Sequence, residues 1–148
     1  MNFDYNRLYM TTDGRIGRQD FWIGILGLFV VGIVVTVILS LLFGMMRFAG
    51  RLVGFLLQLV LAYPAYALFA KRFQDRDKPG IYAVILIGIN IVVGLFSLIG
   101  ITGSPTGMNW FGSLLSLVSL AVAIWFLVEL GILRGTVGTN QYGPDPVG

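Results

Sequence analysis

Four long apolar runs, separated by short polar segments, dominate this chain of 148 residues. They cover residues 21–44, 52–70, 81–101 and 110–133. Each run is close to the roughly 20 helical residues that cross a ~30 Å hydrocarbon core. A helix also satisfies its backbone hydrogen bonds internally, as lipid requires. The pattern therefore predicts an all-α membrane protein, a bundle of four transmembrane helices forming a single domain over residues 1–148.

Composition agrees with this interpretation and excludes several kinds of chemistry. Hydrophobic residues make up 57% of the chain and charged residues 11%, whereas soluble domains average about 25% charged residues. The chain has no cysteine and no histidine, which removes thiolate nucleophiles, disulfides and the commonest metal ligand. We therefore predict no metal site, no cofactor and no catalytic group, and we expect that the protein is not an enzyme.

The distribution of basic residues predicts the orientation in the membrane. Four crossings place both termini and the central loop, residues 71–80, on one side. That side carries three arginines in the N-terminal tail, four basic residues in the loop and one in the C-terminal tail, eight altogether, against Arg47 and Arg51 on the other. The positive-inside rule then predicts cytoplasmic termini. The net charge of +3 reflects this sidedness and does not indicate nucleic-acid binding.

Three polar segments lie on the predicted cytoplasmic side: GRIGRQDFW at 14–22, KRFQDRDKPG at 71–80 and NQYGPDP at 140–146. Turn-forming residues surround the tyrosine of the last segment, so we expect the C-terminal tail to fold back onto this face. The N-terminal tail, the central loop and the C-terminal tail would then form a small cytoplasmic cap. The candidate site is a polar cluster in that cap, made of Arg15, Arg18, Trp22, Arg72, Asp75, Asn140, Tyr142 and Asp145.

Each basic segment allows two interpretations. Arg15 and Arg18 can form a site for an anion or a lipid headgroup. Alternatively, Arg18 and Trp22, four residues apart and so on one helix face, anchor the helix start at the membrane interface. In the loop, Arg72 and Asp75 can face the Arg15 and Arg18 pair and complete the cluster, or the loop charges can serve only to hold the topology.

The three segments, in this order, resemble domain-of-unknown-function family 805, small bacterial inner-membrane proteins. That family is similar in having GRxxRxxFW before the first helix, an RRxxD-like loop followed by glycine, and an NxYGxDP-like tail. The resemblance implies a four-helix inner-membrane protein and supplies no activity. The chain departs from the family pattern at Gly17, Gln74 and Ile81, where members often have serine, histidine and an aromatic residue. The missing histidine argues against histidine-dependent proton or metal chemistry here.

Polar side chains within the apolar runs form a second candidate set. Gln58 and Asn90 lie well inside the second and third runs, where buried amides usually bind a neighbouring helix. Glu129 lies about one turn from the end of the fourth run, close enough to the interface to be partly hydrated or to pair with Arg134 or Arg72. An intramembrane acid is otherwise a candidate for function.

We interpret the chain as a non-enzymatic membrane protein whose cytoplasmic cluster binds an anionic lipid headgroup or a partner protein, since juxtamembrane basic residues attract anionic lipid at about 1 kcal/mol each. The alternative is a small oligomeric transporter or channel, which needs a water-accessible path lined by Gln58, Asn90 and Glu129. A lipid-directed enzyme is a third hypothesis and needs Asp75 or Glu129 facing an open cavity. Expected partners are membrane lipids, a second copy or another membrane protein.

Overall fold

The computed structural model describes residues 4–44, 48–104 and 107–146. Four helices in these ranges are long and apolar enough to cross a membrane. The four spans are Arg18–Phe43, Phe48–Asp75, Gly80–Leu98 and Trp110–Ile132. Their α-helical parts are α1 (Arg18–Phe43), α2 (Phe48–Asp75), α3 (Ala83–Leu98) and α4 (Trp110–Phe126). The predicted all-α bundle of four membrane helices is confirmed, and the protein is a multi-pass membrane protein.

Short elements lead into and out of these helices. A π-helical turn, Asn6–Met10, precedes α1, and a 3-10 turn, Gly80–Tyr82, opens α3. The fourth helix continues past α4 as a π-helical segment, Leu127–Ile132. Between α3 and α4 the chain turns through an antiparallel pair of two-residue strands, β1 (Gly103–Ser104) and β2 (Gly107–Met108).

The helices pack in chain order, with α1 on α2, α2 on α3 and α3 on α4. The π-helical segment Leu127–Ile132 returns to contact α1 and α2, which closes the bundle at the end that carries both termini. The N-terminal turn, Asn6–Met10, also packs on α2 at this end. The second helix is therefore the central element, contacting all the others near the termini.

The buried apolar core lies at that same end. Phe73 of α2 and Phe126 of α4 meet edge to face with ring centroids 5.2 Å apart, and Phe69 contacts Phe126 at 5.8 Å. Such aromatic pairs add about 0.5–1.5 kcal/mol beyond the area they bury. The other buried apolar side chains of this core are Leu8, Tyr9, Ile16, Phe21, Leu68, Ala70, Ala83 and Leu130.

The second helix is longer at both ends than the predicted run of 52–70. It begins at Phe48 and continues to Asp75, so Lys71, Arg72 and Asp75 lie on a helix and the predicted 71–80 loop is reduced to a short turn. The charges mark where the chain leaves the apolar layer, whereas no helix breaker occurs until Pro79 and Gly80. Arg47, one of the two basic residues predicted for the other side, lies outside the described residues.

Candidate functional site

The cap, defined here as residues 4–17, 71–82 and 133–146, is centred on the carboxylate of Asp75. Arg15 Nε donates to Asp75 Oδ1 at 3.0 Å, and Arg72 Nη1 donates to Asp75 Oδ2. The three side chains are only 1%, 0% and 4% exposed, for Arg15, Arg72 and Asp75 respectively. Buried ions are tolerated when their remaining hydrogen-bonding capacity is also satisfied. Two arginines share one carboxylate here, so their other donors need further acceptors.

Arg15 finds those acceptors in the C-terminal tail. Its Nη2 donates to the carbonyl of Thr136 at 2.6 Å, and its Nη1 donates to the carbonyls of Gly138 at 2.6 Å and Gly143 at 3.1 Å. All three nitrogens of the guanidinium therefore bind protein acceptors. Arg15 joins the tail to Asp75 and is closed off from an external ligand.

The tail is also attached to the end of α2 by bonds that do not involve Arg15. Thr136 N donates to the Asp75 carbonyl at 2.9 Å. The Asn140 amide donates to the Gln74 carbonyl and to Thr136 Oγ1, both at 2.9 Å. Since backbone groups that leave water must be paired, these bonds allow an irregular segment to lie flat on the helix end.

The last predicted site residues organise the tail itself. Asp145 Oδ2 accepts from the Gly138 N–H at 3.1 Å, and Asn140 Oδ1 accepts from the Tyr142 N–H at 2.9 Å. Asn140 and Gly143 are also bonded to each other through their backbones. Short side-chain-to-backbone bonds of this kind are how asparagine and aspartate stabilise turns. The NQYGPDP segment is therefore a folded turn.

A second set of bonds surrounds the end of the fourth helix. Five consecutive carbonyls, at residues 130–134, each accept from a side chain of another element. The pairs are Arg72 with Leu130 and with Leu133 (both 2.6 Å), Trp22 with Gly131 (3.2 Å), Arg18 with Ile132 (3.2 Å) and Arg76 with Arg134 (2.9 Å). The last carbonyls of a helix lack internal partners, and cations are favoured there. The residues of the first two motifs thus cap the fourth helix.

Two glycines allow this close approach. A Cβ on Gly131 would lie 2.8 Å from Cζ2 of Trp22, and a Cβ on Gly135 would overlap the carboxylate of Asp75. Neither position has space for a side chain unless its neighbour moves. Both glycines precede the NQYGPDP segment. Their contacts in the folded chain explain why these positions require glycine.

Glu129 forms a smaller ionic group beside the first. Its Oε1 accepts from Arg76 Nε at 2.7 Å and from Lys78 Nζ. The expectation that Glu129 pairs with Arg134 or Arg72 is wrong. Because α2 extends to Asp75, the basic residues just beyond it reach the end of the fourth helix, while Arg72 is already committed to Asp75.

The N-terminal tail is attached by residues that sequence reasoning did not select. Lys71, which is 1% exposed, donates through Nζ to the carbonyls of Arg7 and Leu8, the latter at 2.9 Å. Tyr9 donates its hydroxyl to the Gly24 carbonyl at 2.9 Å. Burial, followed by the neighbouring Tyr5, raises the pKa of the Tyr9 phenol, which keeps it protonated as a donor. In the sequence Lys71 stands at the start of the predicted loop, and nothing there indicates that it binds the N-terminal tail.

A small polar cavity of about 90 Å3 lies at the edge of the cap, where α1 begins. Arg18 and Arg134 border it and are both exposed. Arg18 donates one hydrogen bond to the Ile132 carbonyl. The Arg134 side chain has no ion pair or hydrogen bond in the part of the chain that the structure describes. Asp75 also borders the cavity, but both its oxygens are held by arginines, so it offers no free nucleophile or base. Glu129 is likewise paired.

The intramembrane amides bind the helix backbone. Gln58 Nε2 donates to the Asn90 carbonyl at 2.7 Å, and Asn90 Nδ2 donates to the Leu86 carbonyl at 2.8 Å. Both residues border a groove of about 440 Å3 between α1, α2 and α3 that is lined mainly by apolar side chains. The Gln58 bond joins α2 to α3, as expected for helix association. Glu129 is paired with Arg76 and Lys78 and does not border this groove.

Comparison with known proteins identifies the family. The profile of a family described as "Protein of unknown function (DUF805)" matches residues 9–144 of this chain. The "Uncharacterized protein YiiR" of Escherichia coli K12 is 34% identical over 132 residues, which cover 89% of this chain and 83% of that protein, and the same values hold for YiiR of Escherichia coli O157:H7. No solved structure matches. The chain is a member of the DUF805 family, as its three motifs predicted.

Proposed function

We propose that this protein is a non-enzymatic protein of the bacterial inner membrane whose cap faces the cytoplasm and binds an anionic lipid headgroup. The observation that carries the proposal is that two exposed arginines, Arg18 and Arg134, both border the polar cavity. Their remaining donors are free to bind a phosphate, which arginine recognises through paired hydrogen bonds.

The position of this pair favours a lipid over a soluble ligand. Arg18 is the first residue of α1, and Trp22 lies one turn further on, half exposed and bound to Gly131. Tryptophan at a helix start is typical of the headgroup layer. The Arg18 side chain therefore lies at the depth of lipid phosphates when α1 spans the bilayer.

Local charge supports the same ligand. Within the cavity wall, Arg72 and Asp75 neutralise each other, which leaves Arg18 and Arg134 opposed by Asp145 alone. The wall thus has a net positive charge next to the positive end of the α1 dipole. Arg15, which the sequence predicts as part of a headgroup site with Arg18, is fully bonded within the protein and contributes only by holding the cap together.

Native mass spectrometry of the protein extracted with its lipids tests this proposal. Replacing Arg134 by glutamine removes a charge that makes no contact in the described ranges, so the fold should be retained. At about 1 kcal/mol for each juxtamembrane arginine, phosphatidylglycerol binding should weaken about fivefold in Arg134→Gln and more in Arg18→Gln/Arg134→Gln.

The matched control is Arg7→Gln, which removes an exposed cap arginine that does not border the cavity. Lipid retention in Arg7→Gln should equal that of the wild type. Equal retention in the double variant and the control would overturn the proposal. So would a lipid-free wild type that carries a co-extracted protein instead, and that result would favour a protein partner for the cap.

A further inference from the structure

Among the residues that the structure describes, Arg51 is an unpaired arginine at the end of the bundle opposite the cap. Arg51 is the fourth residue of α2, and its Nε is buried without any hydrogen-bond acceptor. In the part of the chain that the structure describes, the rest of its guanidinium likewise has no hydrogen bond and no ion pair. A buried donor of a charged group that is left unpaired destabilises a fold. The unpaired guanidinium of Arg51 therefore needs a hydrogen-bond acceptor.

The Arg51 side chain borders a cavity of about 130 Å3 between α2, α3, α4 and the strand pair. This is many times the ~10–15 Å3 that a single water molecule needs by the same kind of measure. Three hydroxyl-bearing residues share the wall, namely Ser97, Thr102 and Ser116. Each hydroxyl can donate a hydrogen bond, and only that of Ser116 makes a contact in the described ranges, a weak one of 3.6 Å to Met108 Sδ.

The sequence provides no acidic side chain near that cavity. All acidic residues belong to the cap or to the ends of the helices that adjoin it. They are Asp4, Asp13, Asp20, Asp75, Asp77, Glu129 and Asp145. The segments at the opposite end, residues 44–52 and 97–113, contain none. Within the described residues the cavity wall is therefore cationic and rich in donors, and it has no acidic side chain to neutralise Arg51.

We propose that this cavity binds a phosphate group, with Arg51 supplying charge-assisted hydrogen bonds and Ser97, Thr102 and Ser116 supplying hydroxyl donors. A guanidinium with adjacent hydroxyls matches the several acceptor oxygens of a phosphate. The group can belong to a phospholipid headgroup of the adjoining leaflet or to free phosphate in solution. This site is separate from the cap and does not depend on the proposed function.

The test uses the Arg18→Gln/Arg134→Gln chain as its background, so that lipid bound at the cap does not contribute. One arm titrates inorganic phosphate into the detergent-solubilised protein by calorimetry. The other measures phosphatidylglycerol retained from vesicles of that lipid by native mass spectrometry. Each arm compares the background with Arg51→Gln, and Arg7→Gln serves as the control for loss of an arginine charge. Loss of charge-assisted bonds should weaken binding at least about tenfold.

Three results are possible. Phosphate binding that Arg51→Gln weakens at least about tenfold supports a site for the free anion, and lipid retention that Arg51→Gln weakens to the same extent supports a headgroup site. Binding in neither arm, or binding that Arg51→Gln leaves equal to the control, overturns the proposal. If Arg51→Gln does not fold, Ser116→Ala replaces it, and a loss of about fivefold is then expected from one hydroxyl donor; unchanged binding in Ser116→Ala overturns the proposal in that case.

Discussion

The two ends of the bundle handle charge in opposite ways. At the cap, Arg15, Arg72 and Asp75 are almost completely buried and mutually paired. At the other end, Arg51 borders a cavity with no acidic residue near it in the sequence. The buried centre of the cap needs no ligand, because Arg15, Arg72 and Asp75 satisfy one another and bind backbone carbonyls around them. A buried arginine of a sequence motif can therefore be structural, whereas arginines that have no acidic partner in the described residues, such as Arg134 and Arg51, are the better candidates for binding.

The largest expected effect comes from removing the anion at the centre of the cap. Asp75→Asn preserves shape but leaves two buried arginines without a counter-charge, and breaking a buried pair in this way costs about 3–5 kcal/mol. We expect a loss of that size in the free energy of SDS-induced unfolding, or failure to accumulate in the membrane. The matched control is Asp77→Asn in an exposed turn whose φ of 59° suits asparagine. Equal stability of the two variants would show that the cap does not depend on this carboxylate.

Removing Arg15 should have a smaller and more local effect. Arg15→Gln leaves Asp75 paired with Arg72 but removes the bonds to Thr136, Gly138 and Gly143. Charged hydrogen bonds contribute about 1.5–3 kcal/mol, so the tail should open more often while the helices stay folded, even though its bonds to the end of α2 remain. Proteinase K should then cleave within residues 136–146 at least about tenfold faster than in the wild type. In Arg7→Gln the cleavage rate should be unchanged, and a tail as resistant in Arg15→Gln as in that control would refute the role of Arg15.

The fold was predictable because lipid imposes a simple rule on length and polarity. The four apolar runs therefore identified the four helices. Hydropathy failed at the end of α2, where it located the membrane boundary near residue 70 while the helix continued to Asp75. Lysine and arginine are good helix formers, so a change in polarity there does not terminate the helix.

The sequence predicted which residues form the candidate cluster, but not that most of them stabilise the fold. The motifs brought Arg15, Arg72 and Asp75 together on one face, yet hydropathy treats each of them as a surface residue. Their burial depends on the C-terminal tail, where Thr136 lies 121 residues after Arg15 and 61 residues after Asp75 and is bonded to both. The sequence does not indicate which backbone carbonyls accept these hydrogen bonds. For the same reason, the capping of the fourth helix by Arg18 and Trp22 could not be foreseen.

The second ionic group should contribute less than the first because its cations are partly hydrated. The side chains of Arg76 and Lys78 are 19% and 40% exposed, and exposed pairs are worth about 1 kcal/mol or less. Glu129→Gln should therefore lower the free energy of unfolding by about 1 kcal/mol. The exposed Asp13→Asn serves as the control, measured in the same SDS titration. A loss as large as that of Asp75→Asn would mean that Glu129, and not Asp75, is the central anion.

The smallest expected effect lies within the membrane. Gln58→Leu removes the bond from α2 to the Asn90 carbonyl, and interhelical bonds of this kind average about 0.6 kcal/mol. We expect a change of that size in the same titration, with the lipid-exposed Val60→Leu as control. If Gln58→Leu instead leaves stability unchanged but abolishes a solute flux in proteoliposomes, the transporter alternative would replace the present account.

Hydrogen exchange of the C-terminal tail in nanodiscs tests the central claim most directly, which is that the cap is a folded unit closed by Arg15 and Asp75. The N–H groups of Thr136, Asn140, Tyr142 and Gly143 are all bonded in the structure. We expect slow exchange of these four N–H groups in the wild type and fast exchange in Arg15→Gln, with the helices equally protected in both proteins. Fast exchange of the tail in the wild type, or equal protection in both proteins, would contradict it.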